Sequence, residues 1–264
     1  MNYRKFRFFI VAAVLYAVLA LLLIHYFPIE ITRSDVPVNI NQADSYLLKG
    51  ENPYGQNYTI DVRANPYDSS ENDIETVKIL QYPPAMVLYY VPFYLMGDIR
   101  YGNLLADILI YFLILLYFKG RDFESKFAYL FLFNGLNLIS NYVYGGNDIV
   151  AGLFVGFAIY FLNKKESLSS LSYGISLVTK QLSIILIPYF ILKARQKIKF
   201  LAFGLVVAVL ILLPFSPQVI HDTIFGVFYR RVPLLSYLLV FYPFFFMPVL
   251  DRFASRRKKR ANHN

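Results

Sequence analysis

An unbroken apolar run at 8–27 is followed by a long polar segment at 30–81. Apolar stretches with short polar interruptions then fill the rest of the chain, at 83–96, 101–118, 127–143, 147–162, 168–179, 181–192, 200–216 and 233–250. A helix needs roughly 20 apolar residues to cross a bilayer, so the pattern predicts an all-α polytopic membrane protein. Several stretches fall short of about 15 residues, and kinks, local thinning or helices that stop part-way are expected there. The 83–96 stretch begins with Pro83 and Pro84, where missing N–H groups cost a helix least, and also contains Pro92. It is predicted as a short half-inserted helix on the side of the polar segment, with a full crossing as the rival. For the first run the rival is a cleaved signal peptide, but the run exceeds an h-region of roughly 7–15 residues and no small-x-small site follows Tyr26.

Composition agrees with the pattern. Of 264 residues, 57% are hydrophobic and only 16% charged, which excludes an ordinary soluble domain and leaves room for one membrane domain spanning 1–264. There is no Cys, so disulfides, thiolate nucleophiles and cysteine-held zinc or iron-sulfur centres are excluded. The three His residues form no HxxxH or HExxH spacing, and neither a metal nor an organic cofactor is expected.

The net charge of +9 matters through its distribution. Arg4, Lys5 and Arg7 precede the first run. Lys119, Arg121 and Lys126 form a second basic cluster, Lys164 and Lys165 a third, and Lys193, Arg195, Lys197 and Lys199 a fourth. Segment 30–81 instead holds nine acidic residues against Arg33, Lys49, Arg63 and Lys78. The positive-inside rule puts both termini in the cytoplasm of a plasma-membrane protein and the 30–81 loop outside. The tips at 144–148 and 179–181 are then outside as well. The basic tail at 251–264 reads as a headgroup-contacting stop-transfer segment, and no nucleic-acid partner is expected. Asn57-Tyr58-Thr59 is a three-residue glycosylation acceptor pattern in the outer loop.

Polar groups near membrane depth are costly and are tolerated where they face a wet cavity or each other. Lys180, Asn147 and Asp148 are the leading candidates. The bland alternatives are a snorkelling turn lysine for Lys180 and a helix N-cap for Asn147-Asp148. Asp107 and His221-Asp222 are weaker leads.

The outer loop carries an early Asp, then Tyr-Leu-Leu-Lys-Gly-Glu-Asn-Pro-Tyr at 46–54, and Gln-Tyr-Pro-Pro at 81–84 opens the next apolar stretch. Tyr-Gly-Gly-Asn-Asp follows at 144–148, and Tyr173-Gly174-Ile175 precedes Thr179-Lys180. In this order the motifs resemble the GT-C class of glycosyltransferases, in particular the polyprenyl-phosphate-mannose-dependent mannosyltransferases. The resemblance implies a bundle of about eight transmembrane helices with a long outer first loop bearing the active site. It implies inverting transfer of mannose or another hexose from a polyprenyl-phosphate donor to a glycan, glycolipid or protein acceptor. A loop Asp after the first helix would be the general base, for which Asp35 is the best match and Asp44 the alternative. Lys180, Arg230 and Arg231 would support the departing lipid phosphate, with Asn147, Asp148, Tyr82, Asn52 and Tyr54 lining the substrate site. A chain shorter than that class usually shows keeps a second reading in view: a non-catalytic GT-C-like subunit of a larger membrane complex. A transporter is disfavoured by sparse intramembrane charge and the lack of a repeat.

Overall fold

A computed structural model describes residues 3–29, 34–61, 74–77, 80–119 and 124–222. The stretch expected at 233–250, the basic tail, and Arg230 and Arg231 lie outside the described residues.

Helix α1 (Tyr3–Tyr26) is the first apolar run. Phe9, Ala12, Ala13, Tyr16, Ala20 and Ile24 are buried at three- and four-residue intervals, whereas Val11, Val14, Leu15, Val18 and Leu22 are exposed. One stripe therefore packs on the bundle, and the remainder suits lipid. The polar segment is more ordered than a loop. It holds helix α2 (Asp35–Leu48) and an antiparallel pair, β1 (Tyr58–Asp61) and β2 (Ile74–Val77), in register from Tyr58↔Val77 to Asp61↔Ile74. Helix α3 (Pro84–Leu95) has Pro83 at its N-cap and Pro84 at its first position. Its 12 residues span only about 18 Å, as the proline pattern predicts.

Helix α4 (Arg100–Tyr117) is a single long helix. The stretch expected as one helix at 127–143 is broken into α5 (Glu124–Leu132), the short α6 (Gly135–Leu138) and a π-turn (Ile139–Val143). The break occurs at Asn134, whose side chain accepts from the Leu136 amide at 3.1 Å and so begins a new helix. Helices α7 (Asp148–Leu162) and α8 (Glu166–Leu177) form a hairpin. A 3-10 turn (Gln181–Leu186), α9 (Ile187–Lys193), α10 (Lys197–Leu212) and a second 3-10 turn (Leu213–Phe215) follow.

Among the described residues, three helices are long and apolar enough to cross a membrane: Arg7–Tyr26, Arg100–Tyr117 and Lys197–Phe215. Pro84–Leu95, Asp148–Leu162 and Gln181–Lys193 are apolar but shorter, in keeping with the part-length helices expected from the short apolar stretches.

Two buried polar knots fix the bundle. The Arg100 guanidinium holds Asp98 at 2.6 Å and donates to the carbonyls of Ile24 (3.1 Å), Phe27 (2.5 Å) and Tyr142 (2.7 Å). It thus satisfies carbonyls that the end of α1 leaves without intrahelical partners. Asp107 Oδ2 accepts from the Tyr16 and Tyr142 hydroxyls, each at 2.6 Å, and from Asn141 Nδ2 at 3.1 Å. Asp107 therefore ties α1 and the π-turn to α4, a structural use of a buried acid.

Helices α8 and α10 meet at Gly174 and Gly204. A Cβ on Gly174 would sit 2.3 Å from the Gly204 carbonyl oxygen, so only backbone fits at the crossing. Beside it Tyr173 packs against Phe190 at 4.3 Å and donates to the Ser183 carbonyl at 2.9 Å, which fixes the turn that follows α8. Gly174→Ala is expected to destabilise the protein by about 1–3 kcal/mol, since the helices must separate to admit the methyl group. Gly135→Ala, whose Cβ meets nothing within 4 Å, is the control, and equal melting temperatures for the two variants would overturn the close-crossing account.

Candidate active site

Helix α2 packs on the bundle because its apolar positions recur with helical spacing: Pro37, Ile40 and Ala43 are buried, the acid Asp44 is buried beside them, and Leu48 and Lys49 are exposed beyond. Ile40 packs with Met86, Tyr90, Ile99 and Val150, while Ala43 packs with Tyr54, Tyr58, Leu80 and Val87. Helix α2 thereby touches α3, α7 and β1 through different turns.

The motif at 52–55 is a clamp. Asn52 Oδ1 accepts from the Tyr54 amide at 3.0 Å in an Asx-type turn, and its Nδ2 reaches the Phe215 carbonyl at 3.4 Å. The Tyr54 hydroxyl donates to the Tyr82 carbonyl at 2.6 Å, and the Tyr58 hydroxyl to the Pro53 carbonyl at 2.5 Å. Gly55 takes the left-handed φ of +79° that closes the turn. Its amide and that of Leu80 both donate to Asp222 Oδ2, at 3.1 and 3.3 Å. Asn52, Tyr54 and Asp222 thus lock the loop to the start of α3 and the end of α10. Tyr82 is partly buried between the two clusters that carry α2.

The tips converge at the same end. Helix α7 runs about 22 Å from Asp148, and α8 returns by about 18 Å, which brings Lys180 back beside the start of α7. The Lys180 ammonium forms an ion pair with Asp148 Oδ1. Gln181 Nε2 donates to the Gln81 carbonyl at 3.2 Å and the Ala85 amide to the Val178 carbonyl at 3.0 Å, so the Lys180 turn is stapled to the start of α3. On the other flank, the Cβ position of Gly145 lies 2.9 Å from Pro37, in the first turn of α2, and Gly145 has a φ of +64°. That contact puts the helix residue Asp35 at the same tip as Asn147, Asp148 and Lys180. Burial pushes the Lys180 ammonium down to about 8, while the paired carboxylate favours its charged form.

Polar atoms without hydrogen-bond partners gather on these segments. Both Asp44 oxygens, Asn39 Oδ1, Asn147 Nδ2 and Ser183 Oγ are buried and make no hydrogen bond among the described residues. Asp44 is fully buried, and loss of hydration raises its carboxyl to about 8. Burial first, then the neighbouring Tyr46, Asp222 and Asp44, holds the Tyr58 phenol above its usual range. Asn147 occupies the N-cap of α7 with no side-chain capping bond, so capping does not account for its amide. Among the described residues no three His, Asp or Glu side chains group as metal ligands.

Residues 80–223, more than half of the chain, match the family model of glycosyltransferase family 87. The chain belongs to that family. Glycosyltransferase family 87 makes it a GT-C-type glycosyltransferase, as the loop motifs imply. No curated protein and no solved structure matches it. The matched region contains Tyr82, Asn147, Asp148, Lys180 and Asp222 and begins at Leu80, one of the two amides held by Asp222. Asp35 and Asp44 precede it, on the helix that the clamp at 52–55 fastens over it. Asn39 and the Arg100 knot were not singled out by the sequence: an Asn in a polar loop and an Arg after a turn carry no spacing signal until burial is known.

Proposed function

We propose that this glycosyltransferase family 87 member moves a hexose such as mannose from a polyprenyl-phosphate donor to an acceptor hydroxyl at the outer face of the plasma membrane, with both termini cytoplasmic. The observation that supports this reading is the meeting of the first turn of α2 with the Asn147-Asp148 and Lys180 tips through the Pro37–Gly145 contact. In the proposed step the Asp35 carboxylate takes the acceptor proton as the hydroxyl oxygen attacks the anomeric carbon. The bond from that carbon to the phosphate oxygen breaks, its electron pair leaves with the lipid phosphate, and single displacement inverts the centre. Lys180 offers its positive charge to the leaving phosphate, which competes with Asp148 for it. The acceptor is a glycan, glycolipid or protein hydroxyl.

Full-length protein in liposomes, supplied with radiolabelled polyprenyl-phosphate hexoses and methyl hexoside acceptors, tests this. Lys180→Gln is expected to lower donor kcat/KM about 100-fold, with partial recovery in Lys180→Arg. The Lys180→Gln/Asp148→Asn double variant removes both charges of the pair and so separates folding from chemistry. It should regain the wild-type melting temperature and stay inactive. A wild type that transfers from no lipid-phosphate hexose and co-purifies with larger membrane subunits would instead establish the scaffold reading.

A further inference from the structure

We propose that the turns before α8 and before α10 form one binding site for the headgroup of an anionic phospholipid, at the end of the bundle away from the Lys180 tip. Asp148 opens α7, and Lys164 and Lys165 follow its far end, about 22 Å along the helix. Three hydrogen bonds bring the second turn to the same place. Glu166 Oε1 accepts from the Gln196 amide at 2.9 Å, which joins the two turns directly. Ser169 Oγ donates to the Ala158 carbonyl at 2.6 Å and Ser170 Oγ to the Phe200 carbonyl, so the start of α8 is bound to α7 on one flank and to α10 on the other. Lys165 precedes Glu166, and Arg195 and Lys197 flank Gln196, so three cations adjoin the one bond.

All three are exposed, as are Lys164, Lys193 and Lys199. Residues 163–166 and 192–199 thus hold six cations against Glu166 alone, whose carboxylate is already engaged by the Gln196 amide. Such a surface attracts an anion. Leu192 and Ile198, 76% and 85% exposed, alternate with the cations and point to its source. Side chains of this kind suit hydrocarbon, and Lys197 begins a stretch long and apolar enough to cross a membrane. The Lys164 ammonium lies 3.6 Å from the centre of the Tyr160 ring, a pairing that suits headgroup depth. A soluble phosphate would use the cations and leave Leu192 and Ile198 in water. A phospholipid engages both, its phosphate the cations and its acyl chains the apolar pair. Diffuse attraction to scattered lysines would need no bond between the turns; here the Glu166–Gln196 bond sets the spacing of the cations beside it.

Full-length protein in detergent micelles, titrated with phosphatidylglycerol or phosphatidylcholine and read by native mass spectrometry, tests this. Wild type is expected to retain phosphatidylglycerol in preference to phosphatidylcholine, and excess soluble glycerol phosphate should not displace it. Lys165→Gln/Arg195→Gln/Lys197→Gln is expected to weaken phosphatidylglycerol binding about 100-fold, about fivefold for each charge. Its melting temperature without added lipid should equal that of wild type, because all three side chains are exposed. Lys119→Gln/Lys126→Gln, which removes exposed cations of another cluster, should leave binding within about threefold. Glu166→Ala separates a built site from diffuse attraction. It makes the protein more positive, which strengthens diffuse attraction, but it unties the two turns and should weaken binding about tenfold. Tighter binding by Glu166→Ala, equal loss per charge in the two sets of cations, equal retention of the two lipids, or displacement by glycerol phosphate would overturn the inference.

Discussion

Asp35→Asn is expected to slow sugar transfer by about two to four orders of magnitude while donor affinity stays within about threefold. General-base catalysis acts in the transition state, so its loss appears in kcat and not in binding. Asp35 opens α2 beside the tip where Asn147, Asp148 and Lys180 meet. Asp44 follows nine residues later on the same helix. Asp44 lies about 13 Å further along the helix axis, and Asp44→Asn should retain activity within about tenfold. Single-turnover assays with both variants decide between them: the opposite pattern moves the base to Asp44, and two active variants remove carboxylate-base chemistry from this site.

The pattern of apolar runs anticipated the bundle, the proline-led short helix at Pro84–Leu95 and the breaks in the later helices, because each follows from length and local chemistry. The convergence of Asn147, Asp148 and Lys180 was legible as polar tips sharing one side, since alternating charge fixes which turns lie together. The order within the polar segment was less visible. Val36, Ile40, Ala43 and Leu47 do repeat at helical spacing, but an acidic, polar composition masks so short a stripe. Asn52 and Tyr54 illustrate a second limit. Their motif marks the family resemblance, yet their polar atoms are turned to backbone partners at Phe215 and Tyr82, residues remote in sequence. A motif shows which residues matter together; only the fold shows whether they meet a substrate or fasten a loop.

Asp44→Asn is also expected to stabilise the protein, by an amount that grows with pH. In the folded state burial raises the Asp44 carboxyl to about 8, and both oxygens lack partners. An unfolded Asp titrates near 3.9, so the native state binds the extra proton between those two values. The folded state carries no penalty from this group below about pH 4; the penalty rises through the interval and levels off above about pH 8. Its ceiling is about 6 kcal/mol, reduced by whatever water or rearrangement reaches the carboxylate on ionisation. Asn is isosteric with the protonated acid and does not ionise, so the melting temperatures of Asp44→Asn and wild type should coincide near pH 4 and diverge steadily towards pH 9. Parallel curves across that range would mean that Asp44 is already ionised and solvated at neutral pH. A wild type that gains stability between pH 5 and 8 while the variant does not would require a cation beside the carboxylate. The proposed divergence carries a functional corollary: a buried acid that weakens the fold when charged sits on the helix that also holds Asp35, so alkaline pH should loosen α2 from the bundle. Amide exchange in α2 of wild type should then accelerate above pH 8 beyond the intrinsic rate increase, and Asp44→Asn should abolish the excess.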